Sequence, residues 1–140
     1  MTVNLEQAQT IVAAALKEGR ALGLKPITVA VLDPGGRLVA FGREDGSSNL
    51  RPEIAIAKAS GALALGVSSR AIGDMALERP AFFNAAAQLN PAGIVPAAGG
   101  LLILSDGSVI GAVGVTGDNS DNDEKCASAG ITAIGCTVGS

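Results

Sequence analysis

The side chains in this sequence that could do chemistry are few, and they fall into a cationic and an acidic group. Lys58 is the only charged residue between Ile54 and Ser69. Its neighbours one helical turn away are Ile54, Ala55, Gly61 and Ala62, so its ammonium belongs to an otherwise small and apolar helix. Such a lysine either snorkels to a solvated edge, or serves as an anion-binding or desolvated amine whose pKa falls. Arg43 and Arg51 bracket a polar loop; exposed arginines are ordinarily just solvated, yet each can fork onto a carboxylate. Asp123 and Glu124 stand in the first turn of the last helix. They read there either as capping and dipole-complementing charges, or as partners of Lys58 or Arg43 in a charged pocket holding an acid or base. Taken singly, Gly99, Gly100 and Gly117 are turn and close-packing glycines; together with Thr116 they could present backbone N–H groups to an anion. Were this corner catalytic, Lys58 would be the electrophile or base, Asp123 or Glu124 the proton shuttle, and Arg43 the clamp on a substrate carboxylate.

What is missing restricts the chemistry further. The chain has no His, Trp or Tyr. Ser-His and Cys-His nucleophilic machinery, most zinc sites and the usual axial ligand of haem iron are therefore excluded. Met75, Cys126 and Cys136 are the remaining soft atoms for iron, and each also reads as core packing. The two cysteines lie ten residues apart in what reads as one helix, too far along its axis to bridge. They are expected as reduced thiols in a reducing compartment.

A net charge of −3, a pI of about 4.8 and almost no aromatic surface argue against a nucleic-acid partner. The 140 residues fit one domain, and the 48% apolar against 16% charged content is high for a small domain, so a homo-oligomer is expected. With no leader-like start and no apolar run of membrane-spanning length, the expected location is the cytoplasm, without a membrane partner.

The elements that must position these residues can be read in order. Asn4 followed by Gln7 resembles a helix cap, and Leu5, Ala8, Ile11, Val12, Ala15, Leu16, Gly19 and Leu22 recur at helical spacing up to a stop at Gly23. Ile27 to Leu32, the turn Asp33-Pro34-Gly35-Gly36 and Arg37 to Phe41 form a first hairpin. Its continuous apolar run implies a sheet covered on both faces. Pro52 opens a helix to about Gly66, and shorter helices run over Ser69–Leu77 and Pro80–Leu89. A second hairpin turns at Asp106-Gly107. Its second strand is expected to place Val109, Val113 and Val115 on one face, with Ile110, Ala112, Gly114 and Thr116 on a barer one that something can approach closely. Ser120 and Asp123 fit a capping box for the last helix. Helices interposed between hairpins make the fold α+β, an antiparallel sheet of two hairpins with helices packed on it.

The stretches DPGGRLVAF, RPEIAIAKASGALALG, the GG before the second hairpin and above all SDGSVIGAVGVTGDNSDNDEKCASAG resemble the GlcG/HbpS family of small haem-binding and related proteins, also found as the C-terminal domain of some corrinoid adenosyltransferases. The resemblance covers essentially the whole chain. It implies a profilin-like order α-β-β-α-α-β-β-α, oligomers built of dimers, and binding of haem or a related tetrapyrrole in some members, with no settled enzymatic activity for most. The family also has a lysine in the position that Lys58 occupies. The chain departs from members that ligate iron through His, since it has none. The leading expectation is a non-catalytic binding or accessory domain for an anionic small molecule, tetrapyrroles included, with Arg43, Arg51, Lys58, Gly99, Gly100, Thr116 and Gly117 as ligand-binding residues at an oligomer interface. The alternatives are a small enzyme of isomerase, tautomerase or hydratase type acting on an organic acid through Lys58, Asp123 and Glu124, and an oligomeric scaffold.

Overall fold

Helix α1 (Leu5–Ala21) begins at a complete capping box, in which the Asn4 side chain accepts from the Gln7 N–H and the Gln7 side chain accepts from the Asn4 N–H. It ends at Gly23, whose positive φ of 68° lets the N–H groups of Gly23 and Leu24 close back onto the carbonyls of Arg20 and Gly19. The computed structural model describes all residues 1–140. The remaining elements are β1 (Thr28–Leu32), β2 (Leu38–Arg43), α2 (Arg51–Leu65), α3 (Ser69–Glu78), α4 (Pro80–Leu89), β3 (Gly100–Ser105), β4 (Ser108–Thr116), α5 (Ser120–Ala133) and β5 (Thr137–Gly139).

Both hairpins form, and the strands make one antiparallel sheet in the order β2-β1-β4-β3-β5. In the first turn Asp33 Oδ1 accepts from the N–H groups of Gly35 and Arg37. In the second, Asp106 and Gly107 both take positive φ, 50° and 79°, the turn geometry whose twist suits a hairpin. The two hairpins join through β1 and β4, with Val29 opposite Val115. Both faces of the sheet are covered. Helices α1 and α5 bury Ile11, Ala15, Cys126 and Ile131 against Val29, Val31, Val113 and Val115 on one side. On the other, α2 buries Ala59 and Ala62 against Leu32, Leu102 and Ala112, and α3 with α4 close a satellite cluster of Ile72, Phe83 and Ile94.

The structure corrects four local expectations. Ile103 pairs with Gly111 but Leu104 with Val109, so Ile110 is an extra, bulged residue. A bulge moves the residues beyond it to the opposite face: Ile110 is buried with Val113 and Val115, while Val109 is 40% exposed. The cap of α5 is Asn119, which accepts from the Asn122 N–H, and not Ser120; Asp123 is thereby free of capping. Cys136 lies beyond the end of α5, so it does not share a helix with Cys126. It leads instead into β5, a strand of three residues too short for any periodicity to reveal. The stripe of α1 is buried at Ala8, Ile11, Ala15 and Gly19, while Leu5 at its start and Leu22 just past its end are exposed.

The bare face of β4 receives a helix backbone. A Cβ on Gly114 would fall on the Ala55 carbonyl of α2, and one on Gly100 would fall on the Lys58 carbonyl. With no side chains between them, α2 lies directly on the ends of β3 and β4, and this seats Lys58.

Candidate functional site

Lys58 does not snorkel; its side chain is 3% exposed. It runs past Gly99, where a Cβ would stand 2.8 Å from Nζ and 3.1 Å from Cδ. Its ammonium donates to the Val115 carbonyl at 3.0 Å and to Asp123 Oδ2 at 3.3 Å. Asp123 comes from α5, on the opposite face of the sheet, and is 1% exposed. The pair therefore passes around the end of β3, through the gap left by two glycines, and joins the two helical layers. The second carboxylate oxygen of Asp123 accepts from the Asp118 N–H at 3.0 Å, and the Gly100 N–H donates to Ser69 Oγ at 2.7 Å.

Burial dominates the electrostatics of the pair. Desolvation pushes the Lys58 ammonium below its ordinary pKa and the Asp123 carboxyl above its own; the mutual attraction and hydrogen bond oppose both shifts without cancelling them. The shifts disfavour both charged forms, and the ion pair persists through the contacts each group makes with the other and with the Val115 carbonyl and the Asp118 N–H. Both are closed off from solvent, and every buried polar side-chain atom has a partner.

Arg51, the first residue of α2, lies above this pair. Its Nη1 donates to Thr116 Oγ1 at 2.7 Å and its Nε to Ser48 Oγ at 3.3 Å. Arg51, Ser47, Ser48 and Gly117 line a small crevice of about 210 Å³ with Lys25 and Gly46. Arg43 turns away: its guanidinium donates to the Ser47 carbonyl at 2.6 and 3.1 Å and to Asn49 at 3.4 Å, holding its own loop. Asp118 accepts from the Lys25 and Asn119 N–H groups and from the Asn122 side chain; led by the Asn122 bond, these hold its carboxyl down to about 2.

Glu124 sits elsewhere, in an exposed cluster. Arg70 of α3 donates through Nε to both oxygens of Glu124 at 3.2 Å and through Nη2 to Asp121 at 2.6 Å, contacts that raise its pKa above its ordinary value. Sequence reasoning missed Arg70. The available signal was the pair of acids one turn apart on α5, which calls for a shared cation. Arg70 and Glu124 line a cleft of about 720 Å³ that runs along α5 and is also lined by Glu18, Leu101, Lys125 and Val138. Of the nine residues singled out from the sequence, Glu124 alone lines it. Met75, Cys126 and Cys136 do not. Cys126 is wholly buried, and burial pushes its thiol up to about 11. No group of His, Cys, Asp and Glu side chains is gathered as a metal site, and no helix is long and apolar enough to cross a membrane.

Comparison with known proteins adds the lineage. A protein of Citrobacter freundii described as an uncharacterized 15.0 kDa protein in the dhaT-dhaS intergenic region is 33% identical over 138 residues, covering 94% of each chain. Among solved structures, a PduOC:heme complex superposes with a TM-score of 0.89 at 22% identity over the whole of both chains. A crystal structure of HbpS superposes with a TM-score of 0.84 at 25% identity, over 96% of this chain and 91% of that one. The model of the family described as haem degrading protein HbpS-like matches residues 3–132. With a matched region of that extent and a sheet whose bare strand face and glycine-bordered lysine follow the motifs that suggested it, the chain belongs to the HbpS-like family.

Proposed function

We propose that the protein is a small-molecule-binding, accessory domain that holds an anionic, partly apolar ligand of tetrapyrrole type in the cleft along α5. The cleft itself carries this reading. Its volume of about 720 Å³ is that of a ligand pocket, Leu101, Ala129, Ala133 and Val138 give it apolar lining, and its cations are Lys125 and Arg70, the second of which a ligand carboxylate would share with Asp121 and Glu124. The haem held by the PduOC neighbour and the description of the family point the same way.

The donor set does not fit axial ligation of iron. The cleft is lined by no His, Tyr, Met or Cys, the side chains that ordinarily hold haem iron, and Lys58 is buried and occupied. The ligand is therefore held by its ring face and carboxylates. Titration with haem and with metal-free protoporphyrin, followed in the visible, tests this. Both are expected to bind with similar affinity, weakened by Arg70→Glu. Absence of a Soret shift at saturating excess rejects the reading.

The exposed apolar residues Leu38 and Phe41 on β2 and Leu77, Phe82 and Leu89 around α3 and α4 support an oligomer, with the ligand at or near an interface. Light scattering that finds a monomer at micromolar concentration removes that part and the scaffold alternative with it. One observation favours a second, enzymatic reading: a buried lysine and aspartate stand 3.3 Å apart, Lys58 Nζ against Asp123 Oδ2, the arrangement an acid–base pair requires. A screen of organic acids for isomerisation or hydration, comparing the wild type with Lys58→Met, decides it. Activity unchanged by the substitution removes Lys58 from the chemistry.

A further inference from the structure

We propose that the crevice beside Arg51 is a separate binding site for one small oxyanion, a carboxylate or phosphate group. It is independent of the α5 cleft and unlike it. The crevice holds about 210 Å³ and none of its lining residues, Lys25, Pro26, Gly46, Ser47, Ser48, Arg51 and Gly117, is hydrophobic, so it suits a compact polar group and no macrocycle.

Three features make it anion-receptive. Arg51 is fixed by two hydroxyls, those of Thr116 and Ser48, and by no carboxylate. Its plane is thus held in place while its charge stays unneutralised, and three of the five N–H groups of a guanidinium are left for a ligand. The local charges do not balance. Arg51 and Lys58 carry two positive charges against one on Asp123, and the charge of Arg51 acts on both members of that pair. Among the neighbouring acids, Asp118 accepts from the Lys25 N–H, Glu44 binds Arg20 and the Ile27 N–H, and neither Asp45 nor Glu53 forms an ion pair with Arg51. Arg51 is half-buried and brings an unneutralised charge to the crevice. A bound oxyanion completes the set. Finally, the Ser48 hydroxyl stands on the same wall as Arg51, giving a neutral donor beside the charged one.

The test is titration of the full chain with acetate and, separately, inorganic phosphate, against chloride at matched ionic strength, reading backbone amide NMR shifts and Tm. Saturable shifts at Gly46, Ser48 and Gly117 with a rise in Tm are expected for at least one probe, and which probe acts identifies the group. Arg51→Gln is expected to weaken binding about tenfold, the loss of a charge-assisted contact. Lys25→Gln, at an exposed position, weakens it less and serves as the test if Arg51→Gln does not fold. Shifts that match chloride, that do not saturate, or that survive these substitutions overturn the proposal.

Discussion

Two ion pairs tie α5 to helices on the opposite side of the sheet, and they could hardly differ more. Lys58–Asp123 joins α2 to α5 with side chains 3% and 1% exposed, whereas Arg70 joins α3 to Asp121 with side chains 49% and 73% exposed. The charges are of the same kind; the solvent around them is not. At the surface, water and salt screen the attraction, and holding long side chains still costs entropy. In the interior both ions lose their hydration, and each survives only because the other is there. Losing one partner therefore costs most at the buried pair, while the exposed cluster adds little to stability.

The largest effect is expected at the buried pair. Lys58→Met or Asp123→Leu alone leaves an uncompensated buried charge and should destabilise by about 3–5 kcal/mol, whereas the double variant should recover most of the loss. Urea unfolding of the four proteins checks this, and additive losses would show that the two groups do not act as a pair. The bare strand face that seats Lys58 comes next. Gly114→Ala drives a methyl group into the Ala55 carbonyl and should cost about 1–3 kcal/mol or more by overpacking, read as a fall in the urea midpoint.

Asp118 provides a pH test beside the same loop. Its folded pKa of about 2 lies below the ordinary 3.8, so its contribution is complete above pH 3.8 and is lost as the pH falls toward 2. Asp118→Asn should therefore be less stable than wild type at neutral pH, with the gap closing across that acid window. A gap constant from pH 5 to 2 would show that the carboxylate charge is irrelevant. The smallest effect belongs to the exposed cluster. Arg70→Gln should cost less than about 1 kcal/mol, and that only at low salt, yet it should weaken porphyrin binding in the α5 cleft.

The fold was largely legible because its signals are local. The Asn4–Gln7 cap, the Asp106-Gly107 turn and the helix starts at Pro52 and Pro80 each depend on residues within a turn of one another. The misreadings share a cause as well. The bulge at Ile110 is decided by a mismatch with the neighbouring strand, β5 by pairing with β3, and the freedom of Asp123 by Asn119 taking the cap first. At the site, residue types were legible and partners were not. Asp123 had both Lys58 and Arg43 open to it, and only the packing of α2 onto Gly100 and Gly114 brings Lys58 to it while Arg43 closes on its own loop.

Composition and short-range geometry were enough for the α+β class, the hairpin turns, the exclusion of histidine chemistry and the kinship carried by the glycine-rich second hairpin. Packing buries the lone lysine of α2 against Asp123, turns Glu124 with Arg70 toward a different cleft and leaves Arg51 without a carboxylate partner. Those outcomes depend on residues 51 to 65 positions apart in the chain, brought together when two helical layers close over the bare end of one sheet. Burial, rather than residue type, then set what each charge can do.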